Sequence, residues 1–160
     1  MLDIRQANTE DIELIFQWTL QLHHHEDDGE LKAHADFPVH LKQWLSGQLE
    51  DTGNLCLIAE VDAQPIGFIL ASSIINDNGF LESPAKGIIQ LLWINEDHRK
   101  QHIADTLVSE IEQCFISVGI GYIECNYTSH NNLAKSFWDK QGYLQRTVTA
   151  RKMLKLPDSN

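Results

Sequence analysis

Gly87-Ile88-Ile89-Gln90-Leu91-Leu92-Trp93-Ile94 runs through Asn95-Glu96-Asp97-His98 into Arg99-Lys100-Gln101-His102-Ile103-Ala104. The first eight residues are rich in β-formers, the last group opens with two cations, and apolar residues follow at Ile103, Leu107, Ile111, Cys114 and Val118. That spacing predicts an amphipathic helix, so the order is strand, basic loop, helix. The first turn of a helix leaves backbone N–H groups without intrahelical partners, and the aligned peptide dipoles place partial positive charge there. A basic loop that opens a helix is therefore built to hold a phosphate or pyrophosphate, and Arg99 and Lys100 add charge to it.

Outward from this stretch, the chain reads as one α/β unit over residues 1–160, with no internal repeat, low-complexity tract or linker. Leu2 to Arg5 reads as a short strand. Asn8 or Thr9 then caps a helix that carries Ile12, Ile15, Phe16, Thr19 and Leu22 on one face. Pro38 suits the first turn of a second helix, with Leu41, Trp44, Leu45, Gln48 and Leu49 at helical spacing. Leu55 to Val61 and Ile66 to Ser73 are strands joined by Asp62-Ala63-Gln64-Pro65, a connection of hairpin length. Beyond the basic loop, Gly119 ends the long helix, and Tyr122 to Tyr127 is another strand. A short helix follows from about Asn131 to Gln141, stopped by Gly142, and a last strand runs through Leu154. The predicted fold is a mixed, mostly antiparallel sheet flanked by helices, in the order β-α-α-β-β-β-α-β-α-β.

A formal charge of −11 repels nucleic-acid phosphates, and no basic stripe interleaved with aromatics overrides it. A cationic small molecule or basic peptide is the better-matched partner. No apolar run approaches the roughly 20 residues of a membrane span. The opening Met1-Leu2-Asp3-Ile4-Arg5 lacks the marks of a signal peptide. A soluble, cytoplasmic protein without a membrane partner is expected. Cys56, Cys114 and Cys125 are odd in number, show no C-x-x-C spacing and lie in apolar stretches, which favours neither a disulfide nor zinc. His23-His24-His25-Glu26-Asp27-Asp28 could offer His23 and Asp27 at i, i+4 to a metal. Adjacent helical histidines point in different directions, however, so no metal is expected.

Two segments carry a more specific pattern: Leu92-Trp93-Ile94 with Arg99-x-x-His102-x-Ala104, and Asn131-x-x-Ala134-x-x-Phe137-Trp138-x-x-x-Gly142-Tyr143. In this order, and with Ile4-Arg5-Gln6-Ala7 and Ile66-Gly67-Phe68 in place, the chain from about Asp3 to Leu154 resembles the GCN5-related N-acetyltransferase (GNAT) family. The resemblance implies acetyl-CoA as co-substrate and direct attack of an amine on its thioester, with no covalent enzyme intermediate. It implies that backbone groups of Leu92, Trp93 and Ile94 bond the pantetheine arm. The loop and helix start at Arg99, Lys100, Gln101, His102, Ile103, Ala104 and Asp105 would hold the pyrophosphate, with Asn131, Ala134 and Trp138 on the other side of the arm.

The chain departs from the family at four points. His102, and often Lys100, stand where the family has glycine, a residue favoured there because backbone must approach phosphate or adopt unusual dihedrals. Trp138 stands where many members have a tyrosine that protonates the leaving thiolate. It is the position predicted for catalysis, although an indole donates a hydrogen bond without releasing its proton. Gln90 stands where some polyamine acetylators have glutamate, and glutamine is no base. Glu124, Asp97 and His130 are alternative bases, with water as the default. Glu26, Asp27 and Asp28, with Gln90, are predicted to face a cationic amine acceptor, since the region after the first helix borders the acceptor pocket in the family. The competing reading is a non-catalytic acyl-CoA-binding protein on the same scaffold. A homodimer formed through apolar residues of the last strands is also expected.

Overall fold

Strand β1 (Leu2–Gln6) delivers the chain to Asn8. The Asn8 side chain accepts from the Glu10 N–H at 2.8 Å, while the Asp11 carboxylate accepts from the Asn8 N–H at 2.8 Å. This reciprocal cap closes a single 3-10 turn and launches helix α1 (Ile12–Glu26). Arg5 fixes where that happens. Its guanidinium donates to both Asp11 oxygens at 2.8 Å and, through Nε, to Glu60 at 2.7 Å, so β1, the helix start and the second strand share one cation. Helix α2 (Phe37–Glu50) carries Pro38 in its first turn. Strands β2 (Asn54–Val61), β3 (Gln64–Ile75) and β4 (Ala85–Ile94) follow, then helix α3 (Ile103–Ser117), the short strand β5 (Ile123–Cys125) and helix α4 (Asn132–Lys140). The structure, a computed structural model, describes residues 1–157.

The five strands form one sheet in the order β1-β2-β3-β4-β5, antiparallel except for the parallel pair β4 and β5. Alternation along the central strands sorts two cores. Cys56, Ile58, Phe68 and Leu70 face Ile15, Phe16, Trp18 and Leu45 of α1 and α2. Ala59, Ile69 and Ala71 face Ile103, Leu107, Val108 and Ile111 of α3. Each fully buried aliphatic or aromatic side chain contributes about 1.5–3 kcal/mol. The helices are thus held by apolar faces on both sides of a sheet that supplies the register.

Three expectations are corrected. The β2–β3 connection is a two-residue turn, Asp62 and Ala63, both at positive φ (51° and 63°), with Val61 paired to Gln64. Two left-handed residues match the right-handed twist of the strands, which a four-residue loop does not require. The strand expected from Tyr122 to Tyr127 is confined to Ile123–Cys125, because β4 offers it only Gly87, Ile88 and Ile89. The last strand, expected through Leu154, is absent. No helix, strand or turn is assigned to residues 144–157, whose side chains are all exposed. Their composition suits a strand, but a strand requires a bonded neighbour, and these residues make no backbone hydrogen bond to any strand of the sheet.

Gly67 shows how tightly the sheet is drawn together next to the end of β4. A Cβ there would lie 2.5 Å from the Trp93 carbonyl oxygen and 2.6 Å from Ile94 Cδ1, and the backbone oxygen cannot rotate away. Gly67→Ala is expected to lower stability by about 1–3 kcal/mol, the usual range for overpacking, as a drop in the thermal midpoint. Arg5→Met is expected to destabilise by about 2 kcal/mol at neutral pH, since it leaves the buried Asp11 carboxylate without its charged donors. Arg5 holds the Asp11 carboxyl below the ordinary carboxylate range. The stability this pairing contributes is therefore present above about pH 4 and lost as pH falls through the lowered value. Denaturant midpoints of the two proteins should converge at the acid end; an undiminished gap there would assign the effect to packing instead.

Candidate functional site

The site begins with a mismatch in register. Leu70 pairs with Leu91 and Ala71 with Ile89, so Gln90 is an extra residue in β4, a bulge. Its consequence is visible in the packing. Ile89 and Leu92 belong to the α3 face although three residues apart, while Leu91 and Trp93 belong to the α1 face. The Gln90 side chain donates to the Ser72 hydroxyl and, at 3.3 Å, to Gln48 Oε1, which fixes the bulge against β3 and α2. Beyond Ile89 strand β4 has no partner on its β5 side, because β5 ends at Cys125 while β4 continues to Ile94. The two strands part around a cleft of about 320 Å³ lined by Ile74, Ile88, Ile89, Gln90 and Asn126.

The basic loop lies at the far end of this open edge. Glu96–His98 form a 3-10 turn, and Lys100 and His102 both sit at φ 61°, after which α3 begins at Ile103. Left-handed backbone costs a residue with a Cβ roughly 1–2 kcal/mol. The loop therefore keeps a shape suited to glycine while carrying side chains. That shape aligns donors. Among the described residues, none of the six consecutive N–H groups from Lys100 to Asp105 makes a hydrogen bond within the chain. Successive free N–H groups at a left-handed turn and a helix start form a concave anion cradle.

The side chains of this loop divide the work differently from expectation. Arg99 turns back onto β4, donating through Nε to the Ile94 carbonyl at 2.9 Å with its guanidinium carbon 4.7 Å from the Trp93 ring centre. It anchors the strand end to the cradle. Asp105 meets His102 Nδ1 at 3.0 Å and accepts from Gln141, tying the start of α3 to the end of α4. The Lys100 and Gln101 side chains stay exposed, whereas Ile103 is buried and Ala104 half-buried. The cradle's donors are main chain.

The opposite wall is formed by the loop after β5. Glu26, at the end of α1, accepts from the Thr128 N–H at 2.8 Å, from the Thr128 hydroxyl at 2.6 Å and from the Asn131 amide. The Asn131 carbonyl oxygen caps α4 by accepting from the Ala134 N–H at 3.0 Å, so the Asn131 amide is engaged at both ends. Of the predicted acceptor acids, Glu26 is thus bound into this wall. Asp27 accepts from the Gly29 N–H, and Asp28 accepts from Arg151 at 2.7 Å. Trp138 is 5% exposed and packs edge-on between Phe137 and Tyr143, each ring centre 4.9 Å away, as part of the α3–α4 core. Tyr143 donates to Glu112 at 2.9 Å. Burial and that bond push its phenol above the ordinary range. Cys125, at the end of β5, has its thiol pushed up to about 12 by burial, which leaves no thiolate nucleophile there near neutral pH.

The histidine run disperses. His23 lies against Phe37 and His25 against Trp93, and among the described residues no three metal-ligating side chains come together. The bulge had one sequence signal, a polar Gln90 between two apolar pairs. The bonds of Glu26, to partners 102 and 105 residues away, had none.

This geometry agrees with the comparisons. A GCN5-related N-acetyltransferase from Ralstonia eutropha JMP134 superposes with a TM-score of 0.77 at 17% identity, over 96% of this chain and 99% of that one. A predicted acetyltransferase with acetyl-CoA from Clostridium acetobutylicum gives 0.76 at 18% identity, over 98% and 96%. The aminoglycoside N-acetyltransferase AAC(6')-Iy in complex with CoA gives 0.75 at 17% identity, over 96% of each chain. At such identities the likeness is one of fold. No curated protein matches the chain. The sequence profile described as "Acetyltransferase (GNAT) family" matches residues 12–143, most of the length, and the chain belongs to that family.

Proposed function

We propose that this chain transfers the acetyl group of acetyl-CoA to a primary amine of a cationic small molecule or peptide. The observation that carries this reading is the run of six unpaired N–H groups from Lys100 to Asp105 beside the unpaired edge of β4. The first offers donors for a pyrophosphate, and the second, along Leu92, Trp93 and Ile94, offers a strand edge for an amide-bearing arm, with the outward groups alternating along the strand and the Ile94 carbonyl already taken by Arg99. Solved neighbours support the pairing of cofactor and amine. One is AAC(6')-Iy with a bisubstrate analogue, CoA-S-monomethyl-acetylneamine, and another is a metagenomic aminoglycoside acetyltransferase with sisomicin.

In this reading the amine nitrogen attacks the thioester carbonyl carbon, the C–S bond breaks, and the thiolate leaves and takes a proton. Holding both reactants in one cleft is the main contribution of the protein. Gln90 and Asn126 orient the acceptor end. No side chain lining the cleft titrates, so water removes the proton from the ammonium and supplies one to the thiolate. Trp138 contributes packing, and Arg99 holds the end of β4 in place. The three free cysteines fit a reducing, cytoplasmic setting. Among the described residues no helix is long and apolar enough to cross a membrane. A homodimer belongs to the same reading. The second reading, a binding module without turnover, draws on Trp138 standing in the core and Gln90 being no base.

Acetyl-CoA titrated by calorimetry, followed by CoA release with an amine panel, decides between them. Binding and release are expected; binding alone would give the non-catalytic reading first place. His102→Gly is expected to raise stability by about 0.5–1 kcal/mol by relieving the left-handed strain while leaving acetyl-CoA affinity within about threefold. His102→Val, β-branched and intolerant of that conformation, should lower both. Loss of binding in His102→Gly would show instead that the imidazole is the phosphate ligand. With water as the base, kcat/KM should rise with pH following the ionisation of the acceptor alone and should shift when the acceptor is changed. A fixed ionisation across acceptors would reveal a protein base.

A further inference from the structure

The cleft between β4 and β5 is bounded by three isoleucines, Ile74, Ile88 and Ile89, and by two neutral amides, Gln90 and Asn126. Among the described residues no charged side chain lines it, although the chain carries 23 acids. Those on the elements around it are committed elsewhere. Glu124, the register partner of Ile88, is bonded to Lys86 at 3.2 Å, a pair without net charge. Glu26 is taken up by Thr128 and Asn131, Asp27 by the Gly29 N–H, and Asp28 and Glu30 by Arg151. Asp77 and Glu82, in the loop between β3 and β4, are exposed to solvent and stand outside the lining. The cleft's volume, about 320 Å³, lies at the small end of the roughly 300–1,000 Å³ of small-molecule sites.

An uncharged cleft treats the two ends of an amine differently. The attacking nitrogen must be neutral, and a site that offers an ammonium no carboxylate favours the free base. A second ammonium stays charged throughout the reaction and needs either a partner or bulk water. Resting on the acetyl-transfer reading, we infer that the acceptor is a small monoamine whose remaining part is uncharged. Ile74 and Ile88 take its apolar flank. Gln90, whose Nε2 is committed to Ser72 and Gln48, leaves its amide oxygen to accept from the amine N–H. Polyamines, polycationic sugars and lysine-rich peptides are thereby disfavoured, because their further ammonium groups meet no carboxylate in the cleft. The formal charge of −11 does not restore them. Its long-range field speeds the arrival of a cation but supplies no partner inside the cleft, where the selection is made.

Steady-state CoA release with n-pentylamine and 1,4-diaminobutane tests this, because the two have equal length and differ only in a terminal methyl against an ammonium. The monoamine is expected to show a kcat/KM at least about tenfold higher, and 2-phenylethylamine should exceed spermidine in the same sense. Ile74→Asp places a carboxylate in the lining at a position 41% exposed, where the fold tolerates it. It should narrow the ratio by about threefold or more, through a lower KM for the diamine. A diamine used as well as the monoamine by the unaltered protein would overturn the inference and leave acetyl transfer standing. So would a ratio left unmoved by Ile74→Asp in a variant that keeps its circular dichroism spectrum and its acetyl-CoA affinity. Acetyl-CoA binding with no CoA release from any amine would remove the acetyl-transfer reading itself, and this inference with it.

Discussion

Gln90 gives β4 one residue more than β3 can pair, and the position of the cleft follows from that mismatch. The bulge turns Leu91 and Trp93 toward α1 and Ile89 and Leu92 toward α3, which re-aims the strand where β5 leaves it. Had alternation continued unbroken, Trp93 would face α3, and the stacking that joins its ring to Arg99 would be lost. Gly67 serves the same end of the strand from the other side, admitting the Trp93 carbonyl where any side chain would push it away. A free backbone edge in the middle of a sheet is costly unless something bonds it. Its presence here, walled by a polar cleft, is therefore a property of the site.

The cradle shows a second compromise. Glycine at positions 100 and 102 would adopt φ 61° without a steric penalty, yet the chain carries lysine and histidine there. The surroundings impose the conformation. Arg99 fastens the loop to the Ile94 carbonyl, and Asp105 links the start of α3 to Gln141 and His102. Two short ties therefore hold a shape that costs on the order of 1–2 kcal/mol per residue, within reach of a few charge-assisted hydrogen bonds at roughly 1.5–3 kcal/mol each. The strain is stored at the place where the free donors converge, as expected of backbone outliers at binding sites.

Periodicity made the long elements legible and failed where a single angle or a distant partner decides. Ile103, Leu107 and Ile111 are buried as their spacing requires. Val118 is 71% exposed, because the helix ends at Ser117 and Gly119 turns the chain at φ 81°, and Phe115 fills the core position that the spacing passed over. Arg99 is legible as a charge but not as a direction, since only the fold reveals that a carbonyl and an indole capture it. Glu26 reads as one acid in a run of acids. Its partners Thr128 and Asn131 lie on the far side of the sequence, and what they make of it is a wall. The final strand misleads for a related reason: propensity records that 144–154 can form a strand, whereas a strand exists only where it is paired, and this segment bonds to none of the five.

One tension runs through the whole molecule, because a protein of formal charge −11 offers a site for an anion. Distance resolves it. At physiological ionic strength the screening length is about 8 Å, so acids scattered over the surface act weakly on a phosphate seated in the cradle. The N–H donors of the loop would meet it at about 3 Å, inside that length and with little water between. Acids in the cradle and at the end of α1 are, moreover, already engaged. Asp105, in the cradle itself, is bonded to His102 and Gln141, Glu26 is bonded to the loop after β5, and Asp28 and Glu30 are paired with Arg151. What remains of the net charge is a long-range field. Such a field raises the encounter rate of a cation with the surface more than its residence time in the cleft. In the proposed reaction, acceptor selectivity would then fall to the shape of the space between Gln90 and Asn126, a shape set by the bulge and not by the acidity of the chain.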